Sequence, residues 1–162
     1  MNEAEFDAGK FTVQAIPEET SSAARATLKS PQYGHPAHVE VAGGNGPCRQ
    51  CLQTFEIGKE TRMLFTYNPF DGIDSYPSPG PVFVHENPCA TYATPNKFPD
   101  GLRSLPLVFE GYESNRWIAA REKVNDGSAE AAIAKIFDQP TVDYIHVRHG
   151  EAGCFIAQIN RA

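Results

Sequence analysis

The 162-residue chain has no run of lysine or arginine, no long apolar stretch, few cysteines and none of the common nucleotide-binding or hydrolase signatures. Each absence removes a class of function. The formal net charge is −6, from 20 acidic and 14 basic residues. Without a concentrated basic face such a surface repels phosphate backbones, so no nucleic acid is expected as a partner. Uninterrupted apolar stretches reach only about five residues where roughly 20 are needed to cross a bilayer, so no membrane partner is expected. The first residues carry Glu3, Glu5 and Asp7 and no apolar h-region, which does not read as a secretory signal. The expected location is cytoplasmic. There is no GxGxxG, P-loop, HExxH or GxSxG pattern, and no internal repeat is visible. The four cysteines, in a reducing compartment, are expected as thiols or metal ligands rather than structural disulfides.

Glycine and proline are plentiful, 13 of each, and they break the chain into short elements joined by turns. "KFTVQAIP" has strand character, and "EETSSAARATLKS" reads as a short helix that Pro31 would end. "HVEVA", "ETRMLFTY" and "VFVHE" read as strands, with Met63, Phe65 and Tyr67 on one face of the second. "LPLVFEGYE" and "RWIAAREKV" form a hairpin around a polar tetrad, and "TVDYIHVR" and "CFIAQINR" form another around "HGEAG". The clear helix is about residues 128–138. Ser128 stands ready to cap it, Glu130 sits near its positive end and Pro140 stops it. Its stripe of Ala129, Ala132, Ile133, Ile136 and Phe137 should lie on a sheet. Many strands, few helices and no regular βαβ alternation predict an α+β fold with a mainly antiparallel sheet. The expected organisation is a flexible tail over residues 1–9 and a single domain over 10–162.

Chemistry concentrates at "GPCRQCL". Were Pro47 to begin a short helix, Cys48 and Cys51 would lie one turn apart on the same side, and helix-start amides with Arg49 would favour a thiolate. That arrangement suits metal binding, a redox dithiol with Cys48 as nucleophile and Cys51 as resolving thiol, or simple packing. "VHENPC" offers a second pair, His85 and Cys89, at a spacing that closes half a zinc site. Cys48, Cys51, His85 and Cys89 together would make a Cys3His tetrahedron. The simpler reading of the second pair is a strand-ending histidine and a small buried hydrophobe. Cys154 is a further candidate ligand, more readily assigned to the core. Arg148 could hold a carboxylate or phosphate at the end of the sheet, unless an ion pair with Glu151 or another acid occupies it. Tyr67 and Tyr76 could line a pocket for a small anionic ligand. His146 is read as a strand histidine, and His35 and His38 as exposed loop residues.

"GPCRQCL", "LFTYNPF", "GPVFVHENPC", "HVRHGEAGCF" and the closing "INR" resemble the bacterial proteins grouped as the domain of unknown function family 1203, over roughly residues 10 to 162. The resemblance implies bacterial origin and a compact domain, and it carries no assigned activity. Its pattern falls on Cys48, Arg49, Cys51, Leu52, Pro69, Phe70, Gly80, Pro81, His85, Cys89, Arg148, Gly153, Cys154 and Arg161, with His149 where the family more often has asparagine.

Three functional readings follow: a cysteine-centred site holding structural zinc, a thiol-dependent redox protein, or a binding module without catalysis. The chain is expected as a monomer or homodimer: an exposed strand edge, as at the C-terminal hairpin, could be used for pairing, but no feature demands it.

Overall fold

A computed structural model describes residues 10–44, 46–73, 76–114, 116–125 and 127–162; the tail expected over residues 1–9 lies outside them. Among the described residues the α+β class holds, and every strand pairing is antiparallel. The elements run β1 (Phe11–Gln14), α1 (Glu18–Thr27), β2 (His38–Val41), β3 (Thr61–Tyr67), β4 (Gly80–His85), a 3-10 turn (Asp100–Leu102), β5 (Leu107–Tyr112), β6 (Ile118–Val124), α2 (Ala129–Phe137), β7 (Tyr144–His149) and β8 (Phe155–Arg161). They form a three-stranded sheet, β2-β3-β4, and a five-stranded sheet, β1-β8-β7-β5-β6. The chain divides into two compact units, one from Ala15–Tyr92 and the other from Ala93–Ala162 with the described part of Met1–Gln14.

In the unit Ala15–Tyr92, the alternation of β3 and β4 sorts one apolar face. Met63 pairs in register with Val84 and Phe65 with Val82, and all four are buried. Tyr67, the third residue of that face, is half-buried. The helix α1 ends earlier than Pro31 suggests. Leu28 adopts a left-handed conformation, φ 55, and returns its amide to the Ala24 carbonyl at 2.8 Å, a common helix stop usually made by glycine.

In the other unit, α2 covers one face of the five-stranded sheet with Ala129, Ile133, Ile136 and Phe137, all buried; Ala132 is half-buried. Ser128 occupies the N-cap position, but its side chain makes no cap bond; its carbonyl accepts the Ala132 amide at 3.0 Å. Glu130 does more than face the helix dipole. It accepts the Phe98 amide at 3.2 Å and two Arg103 bonds at 2.7 and 2.6 Å, tying the segment before β5 to the helix.

The helix sits close because β5 carries Gly111. A Cβ there would fall 2.6 Å from Ile136 Cγ2 and 3.2 Å from Val142 Cγ1, well inside van der Waals contact. Gly111→Ala is therefore expected to cost about 1–3 kcal/mol through overpacking, read as a lower urea midpoint. In an Ile136→Ala background, where the obstructing methyl is gone, the added cost of Gly111→Ala should shrink.

Candidate metal centre

Residues 47–54 do not form the helix that Pro47 suggested. Pro47 bridges Thr54 antiparallel, the Cys48 amide donates to the Gln53 carbonyl at 2.9 Å, and the Leu52 amide returns to the Cys48 carbonyl at 2.9 Å. Leu52, at φ 61, turns the chain back on itself. The result is a tight knuckle that still places Cys48 and Cys51 side by side. The Arg49 amide donates to the Phe83 carbonyl at 2.9 Å, pinning the knuckle to β4. The end of β4 then supplies His85, whose own amide lies 3.4 Å from Cys48 Sγ. Gln50 brings in the fourth residue: its side-chain amide donates to the Cys89 carbonyl at 2.7 Å and to Thr91 at 3.1 Å, and its carbonyl accepts the Tyr92 amide at 2.9 Å.

The knuckle, the strand end and the folded-back loop thereby bring four ligand atoms together. The three sulfurs of Cys48, Cys51 and Cys89 and one His85 nitrogen all lie within 4.8 Å of one another. Cys48 Sγ is 3.7 Å from Cys89 Sγ, and Cys51 Sγ is 3.6 Å from His85 Nδ1. A tetrahedral ion with metal–sulfur bonds of about 2.3 Å and metal–nitrogen bonds of about 2.0–2.1 Å would set these edges near ~3.8 and ~3.6 Å. A disulfide would need sulfurs at about 2.05 Å, and all four cysteines are free thiols. These four residues could hold a metal ion. Cys48 is fully buried, the other three half-buried.

The electrostatics suit a thiolate centre. The thiols of Cys51 and Cys89 donate toward Cys48 and hold it far below the usual thiol range, outweighing the cost of its burial. Cys51 and Cys89 are pushed up, chiefly by that same bond to Cys48; the bond between the two raises Cys51 and lowers Cys89, and burial raises both. Arg49 is buried and turns Nη1 onto the Pro47 carbonyl at 2.7 Å. Arg25 of α1 approaches the sulfurs, with Nη2 3.7 Å from Cys89 Sγ and Nε donating to the His85 carbonyl at 3.1 Å. Glu60, at 2.8 Å, faces the outer nitrogen of His85. Neither residue announces itself in the sequence: Arg25 is 64 positions from Cys89 and Glu60 is 25 from His85.

Residues 45–161 match the family described as Protein of unknown function (DUF1203). The chain belongs to this family. No curated protein and no solved structure matches the chain. The DUF1203 match takes in Cys48, Cys51, His85, Cys89 and Glu60, while α1 with Arg25 precedes it.

The remaining candidates lie elsewhere. Cys154 belongs to the other unit, its thiol 3.9 Å from the Ala152 carbonyl. Arg148 donates Nε to Glu110 Oε1 at 2.9 Å and Nη1 to the Gly153 carbonyl at 3.2 Å, so its acid is Glu110 on the neighbouring strand. Glu110 also accepts two bonds from Arg121, at 3.0 and 2.6 Å, and one from the Tyr112 hydroxyl at 2.9 Å. Burial pushes the Glu110 carboxyl up, but these partners outweigh it and hold it below the usual range. Tyr67 and Tyr76 belong to the unit that holds the cluster. Burial, with the Asp71 charge, pushes the Tyr67 phenol up to about 12, and Tyr76 is largely exposed. His149 accepts the amides of Glu151 and Ala152 at 3.2 and 3.1 Å, shaping the final hairpin turn. His35 and His38 are exposed, but His38 opens β2 rather than lying in a loop.

His146 is fully buried, with Nε2 3.1 Å from Gln158 Oε1 and its ring edge-on to Phe155. Burial lowers its pKa to about 3 from an ordinary 6.5, against the Gln158 bond, which favours the charged form. Between those values the unfolded chain binds the proton and the folded chain does not. This group therefore removes stability as pH falls from about 6.5 toward 3, by up to about 1.4 kcal/mol per pH unit. Urea unfolding at pH 6.5 and 4.5 should show a shallower loss in His146→Gln than in the parent protein.

Proposed function

We propose that this DUF1203 protein is a zinc protein whose Cys3His centre is structural, stabilising the unit Ala15–Tyr92. The observation that supports this most is the convergence of three sulfurs and one imidazole nitrogen, from segments as much as 41 positions apart, at separations suited to a tetrahedral ion. Sulfur and imidazole donors select zinc over magnesium or calcium, which take oxygen ligands. With all four positions supplied by the protein, no coordination site is left for a substrate, so the ion's contribution is to folding. It would join the knuckle to the end of β4 and to the loop beyond, adding to the hydrogen bonds that already link those segments.

The other reading is a thiol redox protein. Its support is the same sulfur cluster, in which Cys48 lies close enough to Cys89 that either Cys51 or Cys89 could serve as its resolving thiol.

Elemental mass spectrometry on untagged protein, with thiols counted before and after chelation, separates the two. About one zinc per chain, with thiols freed by a chelator and a lower unfolding temperature after its removal, is the expected result. Cys48→Ser should abolish stoichiometric zinc and destabilise the chain. Absence of metal with four freely titrating thiols would sink the zinc reading. Absence of metal with two titrating thiols, rising to four on reduction, would replace it with the redox reading.

A further inference from the structure

The two ring nitrogens of His85 face different surroundings. Nδ1 lies 3.6 Å from Cys51 Sγ, inside the cluster, and Nε2 lies 2.8 Å from Glu60 Oε2. The ring is also wedged edge-on against Phe55, with centroids 4.7 Å apart. Glu60 immediately precedes β3, where the neighbouring Thr61 carbonyl accepts the Glu86 amide at 3.2 Å and extends the β3–β4 ladder past His85. The carboxylate therefore reaches the imidazole diagonally across the pair of strands.

Its own position is set by a turn. Glu60 Oε1 accepts the Glu56 amide at 2.7 Å, and the Glu60 amide donates to the Glu56 carbonyl at 3.0 Å. The turn passes through Gly58 at φ +78, a conformation that a side chain would strain. Both carboxylate oxygens are thus committed, one to the backbone of the turn and one to His85.

An imidazole gives a metal one nitrogen, and the hydrogen bond on the other decides which. A carboxylate accepting from Nε2 keeps the proton there, leaves the Nδ1 lone pair aimed at the sulfurs, and adds electron density to the ring. We propose that Glu60 is the positioning residue of the metal centre, fixing Nδ1 of His85 as the donor atom and strengthening it. This rests on the zinc reading above.

Zinc affinity of the parent protein, Glu60→Gln and Glu60→Ala can be compared by competition with a chromophoric chelator. Long-range proton–nitrogen NMR on His85 and thermal unfolding complete the set. Glu60→Ala should bind zinc about 10-fold to 100-fold more weakly. Glu60→Gln, which keeps an oxygen acceptor without the charge, should fall between. The zinc-loaded parent should show Nδ1 metal-bound and Nε2 protonated, and Glu60→Ala should lose the slowly exchanging Nε2 proton signal. The Glu60 side chain is 39% exposed, so neither substitution opens a core cavity. Unchanged affinity in both variants would overturn the proposal, even with a lowered unfolding temperature, because that pattern marks a purely structural role. Ligation through Nε2 in the parent would overturn it as well. If the parent itself binds no zinc, the zinc reading fails; tight binding by the parent with indifferent variants rejects only the role of Glu60.

Discussion

The unit Ala15–Tyr92 gathers three sulfurs and an imidazole nitrogen within 4.8 Å of one another, with Cys48 wholly removed from water. Four groups competing for so small a volume do not stay there through apolar packing alone. The backbone bonds of the knuckle, the Arg49 amide on β4 and the Gln50 amide on the Cys89 carbonyl each fix one segment against another. Gln50 is nearly fully buried, and its side-chain oxygen has no partner among the described residues. Leaving such an atom unsatisfied costs on the order of 1–3 kcal/mol, so the arrangement of the loops takes precedence over full satisfaction of one amide.

Charge is arranged around the cluster with the same economy. Arg25 approaches the sulfur side and Glu60 the imidazole side. Each therefore meets the group of complementary character: a guanidinium beside sulfur that carries negative charge when deprotonated, and a carboxylate beside an N–H. The other unit solves a different problem on its sheet. There Glu110, buried on β5, is surrounded by Arg121, Arg148 and Tyr112, so its charge is compensated by strands on either side of its own.

Much of this was legible in the sequence. Alternation and turn residues located the strands, and the apolar stripe located α2, because each is a local consequence of side-chain periodicity. The four cluster residues could be named together since CxxC and HxxxC are themselves local patterns. What escaped was whatever depends on distant chain. Arg25 and Glu60 carry no spacing signal relative to the residues they serve, and Arg148 meets Glu110 only once β5 and β7 are paired. Pro47 suits a helix start, yet the knuckle is none. The residue that prevents it, Leu52 at φ 61, is not a type that advertises a left-handed conformation. Leu28 hid the end of α1 in the same way.

The order of the four cluster residues along the chain bears on how this unit assembles. They come as two close-set pairs, Cys48 with Cys51 and His85 with Cys89, and 34 positions separate Cys51 from His85. Closing a flexible loop of that length costs roughly 3 kcal/mol of chain entropy before any long-range contact compensates. The loop is not left flexible, because β3 and the β3–β4 pairing lie within it and draw its ends together. The strand hairpin is thus the device that brings two short-range motifs together into one cluster.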